Sequence, residues 1–314
     1  MTTIGGAAAT TSASVQRSLT RTRPDVGGTV FQVLLLLSLL FTLTILAVLV
    51  ADVLGRAIPV FSERGLDFFT SPLSANPEQA GIAQGLLGTF LIAVLVAVFA
   101  FPLGIATAIY LEEYAGDTWL ARFITVNIRN LAGVPSVVYG LLGLTVFVAF
   151  FAAVGAGNGR NLLDAMLTLG VLVLPIVIIT ASEAIRSVPN TIREAGYGVG
   201  ASRWEVTGRL VLPAALPGVL TGTVLALARA LGETAPLILI GGVIGGFSTP
   251  DDASIVDRLT GAYTALPLTV FQWSKQPQDE FRALAAAAIV VLLLVTLLAN
   301  GIAVYLRHRY ERTW

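Results

Sequence analysis

Two charged residues stand four apart in an otherwise apolar stretch: Arg229 and Glu233, in RALGETAPLILIGG at 229–242. On a helix that spacing puts both on one face, about a turn apart. A charge near mid-membrane costs from about 2.5 kcal/mol upward, so a chain rarely keeps two without a use. One use is structural, a self-neutralising ion pair that holds helices together. The other is chemical. A guanidinium offers forked hydrogen bonds that match a tetrahedral oxyanion. A carboxylate beside it accepts a hydrogen bond from an oxyanion that keeps an acidic proton and repels one that has none. Ser136, Tyr139 and Thr234 can add neutral donors, or serve as hydrogen bonds between helices. The second candidate is EAGYGVGASRWEVTGRLVLP, 194–213, a polar interruption between apolar segments.

The chain that positions these residues has 314 residues, 55% hydrophobic and 12% charged, with a mean hydropathy of +0.83. Soluble domains carry about 25% charged residues, so this composition is that of an all-α membrane protein. Net charge is zero, which gives no electrostatic footprint for a nucleic-acid partner. The absence of cysteine excludes disulfides, thiolate zinc sites and thiol catalysis. The single histidine, His308, lies in the charged C-terminal tail. No Gly-x4-Gly-Lys-Ser/Thr phosphate loop occurs, and no nucleophile–base pair accompanies Arg229 and Glu233. A transporter subunit is expected rather than an enzyme, with no metal site.

A membrane helix needs about 20 mostly apolar residues. Six segments qualify: Val30–Leu54, Leu86–Leu111, Leu131–Val154, Leu162–Ile185, Ala214–Ile244 and Leu284–Leu306. An even number places both termini on one side. If that side is cytoplasmic, twelve Lys/Arg fall inside and six outside, the bias that sets orientation. The expected organisation is a disordered cytoplasmic tail over 1–28, then the first helix and an external loop over 29–81. A transmembrane domain follows over 82–306, and a short cytoplasmic tail over 307–314. The external stretches 55–84 and 246–280 carry prolines and aromatics and read as folded caps or interfacial segments. Between the second and third spans, Trp119, Leu120, Phe123, Ile124 and Ile128 recur at near-helical spacing, which predicts an interfacial helix over 117–130. Glu183 and Arg186 close the fourth span and read as interface markers.

The 194–213 interruption predicts two short helices around a glycine break. The first ends over 192–197, and glycines 196, 198 and 200 supply the turn. Ser202, with Glu205 three residues on, has the spacing of a capping box. Val206, Leu210 and Val211 give the second helix an apolar side, and Pro213 opens the next span. Such a knob suits a groove on a soluble partner.

The same stretch resembles the loop of importer permeases of the ATP-binding-cassette type, whose pattern is E-A-A-x3-G-x9-I-x-L-P. Glu194, Ala195, Gly200, Leu210, Leu212 and Pro213 fall on that register, with Gly196 in place of the second Ala and Leu210 in place of Ile. RALGETAPLILIGG, GVPSVVYGLLGL at 133–144, and the run from ALPLTVFQWSK to the last span resemble the PstA-type permease subunits of phosphate importers. The likeness covers about residues 30–310. It implies a type I ABC importer permease fold with a short cytoplasmic coupling helix in the loop 194–213. There Glu194 would fix the turn through hydrogen bonds, and Gly200 would permit the reversal. It implies a heterodimer with a PstC-like sister permease, two PstB-like ATPase subunits that bind ATP and Mg, and a PstS-like phosphate-binding protein. No cofactor is implied in this chain. The substrate pathway would run past Arg229 and Glu233, with Thr234, Ser136 and Tyr139 as neutral donors, in the cytoplasmic (inner) membrane of a bacterium or archaeon. Two other readings remain: a permease for molybdate or sulfate, and a membrane scaffold in phosphate-state signalling.

Overall fold

The computed structural model describes residues 26–155, 161–242 and 261–310. The tail before Val26, Arg160, the acidic residues Asp251, Asp252 and Asp257 with Arg258, and 311–314 lie outside them. Among the described residues the chain is helical throughout, joined by short turns. Six helices are long and apolar enough to cross a membrane: Val26–Arg64, Ala83–Tyr114, Ser136–Ala153, Leu162–Arg186, Arg203–Gly232 and Asp279–Ile302. They are referred to below as the first to sixth spans.

The chain divides into two compact units, Met1–Asp52 and Val53–Trp314. The described part of the first unit is one helical stretch whose large apolar side chains, from Val30 to Val50, are exposed. Hydrocarbon is the solvent in which such a surface rests, since the helix satisfies its own backbone.

In the second unit the fourth span is the central element. Ala165, Leu169, Leu172, Val173, Val177 and Ala181 are buried along it, between the second and fifth spans. Small residues allow the close approach, as is usual where lipid gives helices no hydrophobic reason to associate. A Cβ on Gly218 would lie 2.7 Å from Ala184 Cβ, and one on Gly222 would lie 2.1 Å from Thr180 Oγ1. At one end of this unit, Ala57, Val60, Phe68 and Ile82 pack with Trp273, Phe281 and Leu284 into a separate core. Arg64 closes that cap by donating to the carbonyls of Pro77 and Ala80. The 55–84 stretch is therefore helix followed by a folded turn.

Several boundaries differ from those that hydropathy predicts. The first span extends to Arg64, with Pro59 inside it. Leu131 belongs to the interfacial helix, which runs Trp119–Ala132 behind its N-cap Thr118 and buries no residue. The third span begins at Ser136, after Pro135 in extended geometry. The fifth span does not continue to Ile244: it ends at Gly232, Glu233 is extended at φ −78° and ψ 116°, and a short helix resumes over Ala235–Leu239. Pro236 has no N–H for the Gly232 carbonyl, so the i→i−4 ladder stops there. Wide i→i+5 turns occupy Tyr110–Tyr114, Gly143–Val148 and Thr207–Val211.

Candidate functional site

The break in the fifth span shapes the charged site. Arg229 lies in the last turn of the helix and Glu233 in the extended residue just past it, with Arg229 Nε 3.3 Å from Glu233 Oε1. Arg229 is 46% exposed and Glu233 16%, so the guanidinium faces open space while the carboxylate is tucked behind it. The terminal nitrogens of Arg229 donate no hydrogen bond among the described residues. The short helix Ala235–Leu239 packs against the start of the third span, where a Cβ on Gly140 would lie 2.8 Å from Pro236 Cα. Only glycine allows that contact. It sets Ser136, one turn before Gly140, and Thr234, two residues before Pro236, on neighbouring elements; both are partly buried. Tyr139 is within electrostatic reach of Arg229. Its hydroxyl, however, donates to the Leu131 carbonyl at 2.8 Å, which ties the third span to the interfacial helix. Its lone pairs are what it has left to offer.

An open groove of about 320 Å³ lies between the fourth and fifth spans, and its lining ends at Leu225, one turn before Arg229. Thr180 and Glu183 line one wall, and Pro217, Thr221 and Leu225 the other. Thr221, Leu225 and Arg229 are four apart, so the groove and the guanidinium share one helix face. The closeness of Gly218 and Gly222 to the fourth span forms its floor. Glu183, which the sequence marks only as an interface residue, is one of its lining groups.

The 194–213 stretch folds as a knob. Helices Asn190–Gly198 and Arg203–Val206 meet at a reversal in which Gly200 has φ +84°. Of the three glycines, Gly200 alone supplies the turn. Gly196 is helical and buried, and its hydrogen faces Leu210 Cδ1 and Val206 Cγ2 where a Cβ would approach to 2.8 Å. That contact is the physical reason for glycine at the position where the loop pattern has alanine. Ser202 Oγ accepts from the Glu205 N–H while the Glu205 carboxylate accepts from the Ser202 N–H and Oγ, a complete capping box. Val206 and Val211 are buried with Ala108, Ala181, Ile185 and Ala215, which seats the knob on the ends of the second, fourth and fifth spans. Leu210 and Leu212 pack at the edge of that cluster, and Pro213 sits in the first turn of the helix that follows. Ala195 is exposed.

Glu194 does not fix the turn. Its carboxylate is exposed and reaches no partner among the described residues. The neighbouring Arg193 does the fixing. Its Nε and Nη2 donate to Glu113 Oε1 at 3.1 and 2.8 Å, and its Nη1 and Nη2 to the carbonyls of Val188 and Ile185 at 2.6 and 2.9 Å. Glu113 is 4% exposed. Beside it, Glu112 takes a forked pair from Arg186 at 2.8 and 3.2 Å, and the Tyr114 ring lies 5.4 Å from the Arg203 guanidinium. The sequence alone counts Arg193 and Arg203 only toward membrane orientation, and Arg186 as an interface marker besides. The available signal was Tyr-Leu-Glu-Glu-Tyr at 110–114: two adjacent acids at the arginine-rich end of an apolar span.

Six spans, a broken fifth span and a knob between the fourth and fifth define a permease of the binding-protein-dependent class. Residues 100–312 match the family described as binding-protein-dependent transport system inner membrane component. The chain belongs to this family, the membrane-spanning permeases of ABC importers. It is 32% identical over 249 residues to the phosphate transport system permease protein PstA of Yersinia pestis, covering 79% of this chain and 77% of that one. It is 39% identical over 173 residues to the probable ABC transporter permease protein YqgH of Bacillus subtilis, a match spanning 54% of this chain and about half (55%) of the relative. Among solved structures, a bacterial ABC transporter involved in import of the acidic polysaccharide alginate superposes with a TM-score of 0.60 at 15% identity, over 91% of this chain and 99% of that one. At that identity the likeness concerns the fold, which is that of type I ABC importer permeases.

Proposed function

We propose that this chain is the PstA-type subunit of an importer that moves inorganic phosphate into the cytoplasm. The observation that carries the reading is the half-exposed Arg229 guanidinium, backed by Glu233 at the break in the fifth span. Arg229 offers forked donors to the phosphate oxygens. Glu233 accepts a hydrogen bond from the acidic proton that phosphate keeps near neutral pH and that sulfate lacks. By partly neutralising Arg229, the carboxylate also keeps the anion from binding too tightly to leave.

In this reading a PstC-like sister permease supplies the other half of the pathway, and a PstS-like protein delivers phosphate. Two PstB-like ATPases hold ATP and Mg and seat the knob 194–213 in a surface groove, so their closure tilts the spans in alternating access. Both termini are cytoplasmic. The test is uptake of labelled phosphate in cells with and without this chain, the partner subunits present, with sulfate and molybdate as competitors. Loss of phosphate uptake that sulfate does not inhibit supports the reading. Unchanged phosphate uptake with loss of another oxyanion's transport overturns the substrate and keeps the importer. If Arg229→Gln leaves phosphate uptake intact, the assignment of the site is wrong.

A further inference from the structure

Three consecutive residues at the end of the second span, Glu112, Glu113 and Tyr114, each engage an arginine from a different element. Arg186 ends the fourth span, Arg193 lies on the first knob helix, and Arg203 opens the second. The three contacts differ in kind. Arg186 is 60% exposed, so its pair with Glu112 is a wet surface contact of small worth. The Arg203–Tyr114 contact is a guanidinium over a ring, without a directed hydrogen bond. The Arg193–Glu113 pair is the most enclosed of the three, at 16% and 4% exposure.

Arg193 also has a second duty. The last carbonyls of a helix have no donor within it. Arg193 supplies a donor to the Val188 carbonyl just past the fourth span, and shares the Ile185 carbonyl at its end with the Val188 N–H. One guanidinium therefore holds the buried carboxylate of the second span, the chain at the end of the fourth span and the helix on which it sits. Moving the knob against either span would strand a buried charge and bare the Val188 carbonyl at once. The Arg203–Tyr114 contact adds a second, undirected tie between the knob and the end of the second span.

We propose that Glu113 and Arg193 are the positioning residues of energy coupling. They lock the knob to the second and fourth spans as one body, so that a push on the knob moves both spans with it rather than slipping past them. The proposal rests on the coupling role given above to 194–213. That role is checked first, on the unmutated importer reconstituted in vesicles with its sister permease, ATPases and binding protein. If ATP hydrolysis there does not respond to the phosphate-loaded binding protein, the coupling role itself falls before any variant is made.

With that response in hand, Arg193→Gln is expected to leave the ATPases bound and turning over. It should abolish their response to the loaded binding protein and lower transport about tenfold, within the usual range of coupling between sites. Arg193→Lys, which keeps the charge and loses the fork, should fall between. Wild-type coupling in Arg193→Gln overturns the proposal. A second measurement does not depend on that variant assembling. The chain has no cysteine, so Glu113→Cys with Arg193→Cys can be bridged selectively by a short bifunctional thiol reagent, using partner subunits free of reactive cysteines. Bridging should restore coupled transport to the double variant, because a pair that never opens loses nothing when it is made covalent. If bridging fails to raise transport, or lowers it, the pair is not a fixed joint and the proposal is wrong.

Discussion

Replacing Glu233 by Gln removes one charge and almost no volume. The Arg229–Glu233 contact is an i,i+4 pair at 3.3 Å with the arginine 46% exposed. Pairs of that kind contribute about 0.3–0.5 kcal/mol, so the variant should fold and assemble normally. Its effect on anions should be much larger. A hydrogen bond from the phosphate proton to a carboxylate is worth about 1.5–3 kcal/mol, and an amide oxygen should retain about half of that. Loss of that bond alone lowers phosphate affinity by about 1 kcal/mol, or roughly fivefold, and the stronger pull of an unneutralised Arg229 offsets part of it. For sulfate the change has the opposite sign. Repulsion between unit charges at 4 Å is about 4 kcal/mol at an effective dielectric of 20. With the site half open to solvent, about 2 kcal/mol of relief is a reasonable figure, or roughly 30-fold tighter sulfate. The assay is inhibition of labelled phosphate uptake by sulfate, in vesicles or cells with equal amounts of assembled importer. If Glu233→Gln still takes up phosphate and sulfate inhibits it no better than before, Glu233 does not read the proton, and selectivity lies elsewhere.

Other substitutions test the scaffold. Gly200→Ala forces a side chain into φ +84°; it should destabilise the knob by about 1 kcal/mol and weaken ATPase retention, with Gly200→Asn milder, as read from thermal melting and co-purification. Gly222→Ala would place its Cβ 2.1 Å from Thr180 Oγ1 and should lower the stability of the detergent-solubilised protein by about 1–3 kcal/mol. Gly55→Ala, in mid-helix with nothing within 4 Å of the new Cβ, should leave stability unchanged or raise it by up to about 1 kcal/mol. If Gly222→Ala and Gly55→Ala melt alike, close packing of the fourth and fifth spans is not what Gly222 provides.

The parts of the fold that were legible in the sequence are those set by local chemistry. Apolar runs of sufficient length gave six spans, and Ser202 with Glu205 gave a capping box that the structure contains in full. The interfacial helix followed from the spacing of Trp119, Leu120 and Phe123, with its start shifted to the residue after Thr118. Hydropathy failed where an apolar run is not one helix. Residues 214–244 are apolar nearly throughout, so averaging over a span's length hides a single missing N–H at Pro236 and the break it causes. Pro135 similarly separates Leu131 from the third span. The Glu113–Arg193 and Glu112–Arg186 pairs were out of reach for another reason: their partners are 80 and 74 residues apart, and no local pattern encodes which arginine meets which acid. The loop pattern pointed to Glu194 as the fixing residue, one position away from the side chain that is anchored.

The wide turns carry one further consequence. A turn closed i→i+5 holds one residue more than an α-turn, and each residue advances a helix by about 100°. Tyr110–Tyr114 therefore decides which way Glu112, Glu113 and Tyr114 point relative to the rest of the second span. Thr207–Val211 likewise sets the angle between the knob and the face bearing Thr221, Leu225 and Arg229. The phase between the part that is pushed and the part that touches the anion is kept by counting residues rather than by choosing them. Deleting a single residue from either turn would preserve every side chain on both sides of it and still aim them at the wrong neighbours.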